Sequence, residues 1–318
     1  MVSLSVVIPV YNGALSIAEL VDQLGPTLPA LTNTYEVILV EDDGRDNSWE
    51  VIQQIAQKYN WVRGVKLMRN FGQHNALLCG IRLAQYEVIV TMDDDLQHPP
   101  GEIKKLLDRL AEGCDVVYGK PQHEQHGVFR AFASQVTKIA LQGAMGAETA
   151  RNISAFRAFR SHIREAFANY QSPFVNIDVL LTWGTTRFVA IPVEHLQRKF
   201  GVSTYTFRKL LTHTFNMITG FSTIPLQLAS WLGFVMTAFG FVLLIYIVVI
   251  RVVILGYEVP GFTFLASIIA IFSGAQLFAL GVIGEYLARI HFRMMDRPAY
   301  VVRMDTTEKT DRDTIHAE

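Results

Sequence analysis

Glu87-Val88-Ile89-Val90-Thr91-Met92-Asp93-Asp94-Asp95-Leu96-Gln97-His98-Pro99-Pro100 is the stretch on which the reading of this chain turns. Its β-branched and apolar first half predicts a buried strand, and the strand runs straight into three carboxylates. The two prolines suit the first turn of a following helix. Carboxylates at the C-terminal lip of a buried strand open onto the crevice where open α/β sheets bind ligands. Three like charges this close repel one another unless a cation sits among them. A divalent metal holding an anionic substrate meets that need. An isolated triplet is more simply a solvated acidic turn, but two other features of the chain argue against that here.

The first is the rhythm around it. Residues 3–10 read as a strand ending in Tyr11-Asn12-Gly13, with Ile17, Leu20, Val21 and Leu24 at helical spacing behind it. Residues 35–40 read as a second strand, and it too runs into acids, Glu41-Asp42-Asp43-Gly44-Arg45-Asp46. A helix carrying Trp49, Val51, Ile52 and Ile55 follows, then a strand at 62–68 and a helix at 75–84. After the quoted strand, Ile103, Leu106, Leu107 and Leu110 mark a helix and residues 115–119 a strand. Strand and helix alternate about every 30 residues, which predicts a mainly parallel, doubly wound α/β sheet. Two strands therefore end in carboxylates on one edge of one sheet. The first strand-to-helix turn lacks G-x-G-x-x-G, and there is no Walker lysine loop, so a nucleotide bound here needs acids and a metal instead.

The second feature is a change of composition. The 318 residues suggest two units, net charge is −1, and the 50% hydrophobic fraction is concentrated toward the C-terminus. No global basic field for nucleic acid exists. Cys79 and Cys114 lack metal-site spacing and read as reduced core residues. No cleavable signal peptide is expected at the N-terminus. Residues 126–145 carry Phe129, Phe132, Val136, Ile139 and Leu141 with Arg130 and Lys138 between them, and read equally as a membrane-surface helix or a packed surface helix. Residues 187–193 read as a late strand, and the basic loop from Arg198 to Tyr205 suits phosphate. Residues 226–250 and 262–284 carry no charge, and each is long enough to span a bilayer core of roughly 30 Å. Arg208 and Lys209 precede the first span and Arg289, Arg293 and Arg297 follow the second, which predicts both termini in the cytoplasm. Gly233, Gly240, Gly274 and Gly281 would suit close helix packing and a homo-oligomer. The stretch from Met304 reads as a polar, disordered tail.

Several motifs in order carry a resemblance. Val6-Val7-Ile8-Pro9-Val10-Tyr11-Asn12, Asp42-Asp43-Gly44-x-Asp46, Asp93-Asp94-Asp95-Leu96-Gln97-His98-Pro99-Pro100 and Arg198-x-x-Gly201-x-Ser203 resemble family-two glycosyltransferases. Among these the chain is similar to the polyprenyl-phosphate glycosyltransferases, the group of dolichol-phosphate mannose synthases and bactoprenol glucosyltransferases. The two spans and the closing Arg297-Pro298-x-Tyr300-Val301-Val302 look like the bacterial branch.

The resemblance implies a GT-A domain over 1–223, a transmembrane hairpin over 224–290 and a cytoplasmic tail over 291–318. It also implies an inner-membrane, multi-pass enzyme that inverts at the anomeric carbon. By position, Pro9, Tyr11 and Asp42 would line the nucleotide pocket, and Asp93 would meet the ribose and diphosphate. Asp95 and Gln97, with Asp93, would hold Mg²⁺ or Mn²⁺. Arg198 would meet the diphosphate, and Arg130 with Lys120 the acceptor phosphate. UDP-glucose and undecaprenyl phosphate are the first pair expected; a UDP-aminoarabinose derivative or GDP-mannose is the alternative donor. A non-catalytic membrane scaffold on the same fold is the rival of a different class. A processive polysaccharide synthase fits less well, since the spans are few and no Gln-x-x-Arg-Trp-type motif is present.

Three positions depart from the pattern. Gly13 stands where dolichol-phosphate mannose synthases carry Glu, and Thr204 where they carry Lys. Ala155, in Asn152-Ile153-Ser154-Ala155-Phe156-Arg157, stands where many bacterial relatives carry an acid. Either the chain is weakened at Ala155, the position of a lost catalytic or positioning acid, or its branch uses Ala.

Overall fold

The structure, a computed structural model, describes residues 2–121, 153–196, 199, 224–245, 262–295 and 297–307. The chain divides into two compact units, one of Met1–Thr206 with Asp296–Glu318 and one of Phe207–Met295. In the first unit β1 (Leu4–Val10), α1 (Ile17–Leu31), β2 (Tyr35–Glu41), α2 (Ser48–Lys58), β3 (Val62–Leu67), α3 (Gln73–Leu83), β4 (Val88–Thr91), α4 (Ile103–Ala111) and β5 (Val116–Pro121) alternate. Then come β6 (Arg157–Arg160), the short α5 (Ile177–Thr182) and β7 (Phe188–Val193). The expected α/β alternation is present, and with β8 (Val302–Asp305) it builds one eight-stranded sheet in the order β7-β5-β6-β4-β1-β2-β3-β8. β1 runs parallel to β2 and β4, and β2 to β3. β6 is antiparallel to both β4 and β5, and β7 returns parallel to β5.

Alternation along each strand divides the core into two faces. Val6, Ile8 and Val10 of β1 with Val37 and Leu39 of β2 pack against Leu20, Leu24 and Leu28 of α1 and Leu106 of α4. Val7, Ile38 and Val40 point the other way, into a cluster with Ala76, Leu77 and Ile81 of α3 and Leu180 of α5. A strand covered on both faces reads as a continuous apolar run, which is why β1 and β4 are buried along their whole length.

One sequence expectation is corrected. The stretch from Met304 begins in ordered structure: Val302–Asp305 forms β8, antiparallel to β3 at the sheet edge. Arg63 pairs with Asp305 at 2.5 Å, and Gly64 and Thr306 exchange two hydrogen bonds of 2.9 Å. Residues 302–306 therefore pack as part of the sheet unit.

The second unit holds α6 (Ile224–Ile245) and α7 (Phe262–Met294). Residues 246–250 of the first expected span lie outside the described residues. The second helix contains the uncharged stretch 262–284 and continues past it to Met294. Among the described residues, one stretch, Ile271–Ala288, is long and apolar enough to cross a membrane. Trp231 and Phe234 of α6 are each 66% exposed. Of the four glycines, Gly240 lies under Phe272, whose Cζ would be 2.8 Å from an added Cβ; at Gly233, Gly274 and Gly281 an added Cβ would meet nothing within 4 Å.

Candidate active site

β1 lies between β2 and β4, so the strand order reverses there, and open α/β sheets bind ligands at such a reversal, in the crevice beyond the carboxyl ends of the strands. Both acidic strand ends border it. Asp42 follows β2 directly and its N–H donates to Val10 O at 2.9 Å, tying the β1 and β2 ends together. Its carboxylate accepts the N–H of Phe71 at 2.7 Å and of Gly72 at 2.8 Å. Burial pushes the Asp42 pKa up to about 6, and those two N–H groups offset part of the rise. Beside it Glu41 is 1% exposed, receives the Gly44 N–H and lies 3.6 Å from Lys66.

The motif Asp42-Asp43-Gly44-x-Asp46 is a clasp between two turns. Asn12 and Asp43 both have positive φ, 55° and 50°. Asn12 Oδ1 accepts Arg45 N–H at 2.7 Å, and a Cβ on Gly44 would lie 2.9 Å from Asn12 N, so only glycine fits there. Asp46 accepts from Ala14 N–H at 3.0 Å and Ser48 Oγ at 2.5 Å, and Ser48 Oγ in turn accepts Gly13 N–H at 2.9 Å. Burial raises the Asp46 pKa, but the bonds from Ser48 and Ala14 outweigh it and hold the carboxyl below its ordinary value.

The triplet closes the other side. Asp93 Oδ1 accepts Gln73 Nε2 at 2.6 Å, and Asp95 Oδ1 accepts Gln97 N–H at 3.2 Å. Asp94 leans over Gly13: a Cβ at residue 13 would stand 2.1 Å from Asp94 Oδ2. Gly13 thus leaves room for an acid from the next strand. Leu96 takes the left-handed conformation, φ 61°, a strain of about 1–2 kcal/mol for a residue with a Cβ. Gln97 is bound twice to Leu196, its Nε2 donating to Leu196 O at 3.3 Å and its carbonyl accepting Leu196 N–H at 2.8 Å. His98 is buried, stacked on Phe156 at 5.0 Å and edge-on to His195 at 5.0 Å. Burial first, then His195, pushes its pKa down to about 4, so the ring is neutral.

Asp93, Asp95 and Gln97 offer only oxygen donors from one turn, a set that fits Mg²⁺ or Mn²⁺. Among the described residues no group of three or more His, Cys, Asp or Glu is arranged to hold a metal. Two carboxylates and an amide leave positions for phosphate oxygens, the usual way a hard cation is held with a nucleotide.

Of the other expected site residues, Tyr11 is 49% exposed beyond β1, whereas Pro9 is buried within the strand opposite Val40. Lys120 is half-buried near the end of β5, opposite Pro192. Arg130, Arg198 and Thr204 lie outside the described residues. Lys199 pairs with Glu19 of α1 at 2.7 Å. Ala155 is half-buried, and its carbonyl accepts Thr91 Oγ1 at 2.8 Å at the end of β4.

That bond leads to a network the sequence does not announce. Arg157 Nε donates to Thr91 Oγ1 at 3.0 Å, and the Arg157 guanidinium pairs with Asp178, which also accepts Tyr118 Oη–H at 3.0 Å. The Arg157 and Asp178 side chains are 2% and 5% exposed. Burial, and then the charge of Asp178, raises the Tyr118 pKa and keeps the phenol neutral. A lone charge inside the apolar runs Phe156-Arg157-Ala158-Phe159 and Ile177-Asp178-Val179 is the available signal for it.

The chain is 37% identical over 303 residues to an undecaprenyl-phosphate 4-deoxy-4-formamido-L-arabinose transferase of Yersinia enterocolitica, covering 94% of this chain and 92% of that protein. To the transferase of the same name from Serratia proteamaculans it is 36% identical, covering 99% and 97%. In structure it is similar to the glucosyl-3-phosphoglycerate synthase of Mycobacterium tuberculosis, solved with Mn²⁺, UDP and phosphoglyceric acid. That match has a TM-score of 0.51 at 16% identity and covers 69% of this chain and 76% of the synthase, a likeness of fold. The sheet is therefore a GT-A fold. A model of the family described as glycosyl transferase family 2 matches residues 5–169, the span that holds both acidic strand ends and Arg157, and the chain belongs to that family.

Proposed function

We propose that this glycosyltransferase moves a 4-deoxy-4-formamido-L-arabinosyl group from a UDP-linked donor to undecaprenyl phosphate at a membrane surface. The observation that carries the reading is the near-full-length similarity to transferases named for that sugar and that lipid. The motifs alone rank glucose first, but the relatives favour the alternative donor, and the family membership speaks against a non-catalytic scaffold.

In this reading Tyr11 and Asp42 border the nucleoside, with Pro9 behind them in β1, Asp93 borders the ribose and diphosphate, and Arg198 the diphosphate. Asp95 and Gln97 with Asp93 hold Mg²⁺ or Mn²⁺, which when bound neutralises charge on the departing diphosphate. A phosphate oxygen of the acceptor attacks the anomeric carbon from the face opposite the leaving group. The bond from that carbon to the diphosphate oxygen breaks, and UDP departs with the electron pair. A phosphate monoester has its second pKa near ~6, so the acceptor is already largely dianionic at neutral pH. It needs orientation by Lys120 and Arg130 more than a strong base.

A membrane location is supported by the apolar Ile271–Ala288 stretch and by the exposed Trp231 and Phe234 on α6. The chain leaves the sheet unit before α6 and rejoins the same sheet as β8 after α7, which favours an even number of crossings and termini on one side. The test is lipid-linked product from undecaprenyl phosphate with UDP-4-deoxy-4-formamido-L-arabinose or UDP-glucose, each with and without EDTA. Chelator-sensitive product from the arabinose donor alone is expected. Product from UDP-glucose alone would refute the sugar assignment, and full activity in EDTA the metal.

A further inference from the structure

The two acidic strand ends are joined by one short segment, and that segment is held from behind by residues that follow the last apolar helix. Phe71 and Gly72 donate their N–H groups to Asp42, and Gln73 donates to Asp93. On its other side, Met68 N–H donates to Val301 O at 2.9 Å. Asn75, 5% exposed, donates through Nδ2 to Ala299 O at 2.5 Å and to Pro173 O at 3.2 Å. Ala299 is 3% exposed and sits in one cluster with Phe71 and Tyr300, and the Tyr300 ring lies 5.7 Å from the Arg82 guanidinium of α3.

We infer that Asn75 is a positioning residue for donor binding, and that through it residues 299–301, which follow α7, hold the nucleotide site in place. The physical case is that Asp42 and Asp93 act together only if the segment from Met68 to Asn75 keeps its place. That segment enters α3 through Gly72 at φ 100°, a conformation that favours glycine, so no side chain at 72 packs to hold the turn. Asn75 is its buried polar anchor, and an amide donor lost there leaves two carbonyls without their bond. Membrane attachment and donor binding are thereby linked by covalent continuity from α7 to Ala299. This inference rests on the reading of Asp42 and Asp93 as donor-site residues.

The experiment measures UDP binding, in the presence of Mn²⁺, to the full chain in detergent. It compares wild type, Asn75→Ala and Thr306→Val; the last removes the Gly64–Thr306 side-chain bond just beyond β8 without touching residues 68–75 or 299–301. Asn75→Ala is expected to weaken UDP about tenfold and to raise the donor KM, with the acceptor KM within about twofold of wild type. Thr306→Val is expected to lower the Tm and leave UDP affinity unchanged. UDP affinity within twofold of wild type in Asn75→Ala, whatever its Tm, would make Asn75 merely structural and overturn the inference, as would equal weakening in both variants. Wild type failing to bind UDP would instead overturn the donor-site reading and the inference with it. If Asn75→Ala does not fold, hydrogen exchange on wild type decides. UDP with Mn²⁺ should slow exchange in both 68–75 and 298–304, and protection confined to 68–75 refutes the link.

Discussion

Asp178→Ala isolates the buried network behind the acid triplet. The Asp178 carboxylate, 5% exposed, accepts from both the Arg157 guanidinium and the Tyr118 hydroxyl. Its removal strands a cation that is 2% exposed, at a cost of about 3–5 kcal/mol for breaking a buried pair from one side. The orphaned phenol contributes a further ~1 kcal/mol or more, not strictly additive because the groups share one acceptor. At about 2–4 °C per kcal/mol for a domain of this size, the Tm should fall by roughly 10 °C. Thermal unfolding of the purified full chain reads this directly. The informative control is the triple change Arg157→Met, Asp178→Leu and Tyr118→Phe, which removes charge and hydroxyl together and should recover most of the lost stability. A fall of under about 2 °C in Asp178→Ala, or a triple variant as unstable as the single one, would refute the claim that an uncompensated charge causes the loss.

Three further outcomes follow from the site. Asp42 titrates near 6 in the fold against 3.8 unperturbed, so the fold binds its proton more tightly than the unfolded chain does. Its contribution to stability is full below pH 3.8 and is lost as pH rises through 6, amounting to about 3 kcal/mol at most. Denaturant midpoints between pH 4 and 7 should show that slope in wild type and lose it in Asp42→Asn. Gly13→Ala should raise the donor KM severalfold with little change in Tm, because Asp94 must move from the space the methyl takes; an unchanged KM would mean Asp94 has no part in donor binding. Ala155→Asp should give no gain in turnover, since it adds a fourth carboxylate beside the β4 end; a clear gain in the lipid-product assay would show that this position has lost a working acid.

Strand and helix order, and the acids at the ends of β2 and β4, are legible because apolar runs and helical spacing are local signals. The same spacing defines α1 even though Pro26 and Pro29 lie within it. Burial of Leu20, Val21, Leu24 and Leu28 against the sheet holds the helix where backbone propensity alone would end it. β8 was not legible. Val302-Arg303-Met304-Asp305 is short and half charged, and Arg63, which pairs with Asp305, is 242 residues away. Nor was the role of Arg157, whose partners Thr91, Tyr118 and Asp178 come from three separate elements.

The sequence by itself determined the α/β alternation, the two acidic strand ends, the apolar C-terminal stretches and the family resemblance. Each of these is written in neighbouring residues, where hydrophobic period and motif order act over a few turns. Only the tertiary structure decided that Asp42 is clasped by Phe71 and Gly72, that Gly13 yields its space to Asp94, and that the chain returns after α7 to complete the sheet. Those are contacts between segments far apart in the chain. They form because buried polar groups must find partners and a sheet edge takes a strand that pairs with it, and neither requirement leaves a local pattern to read.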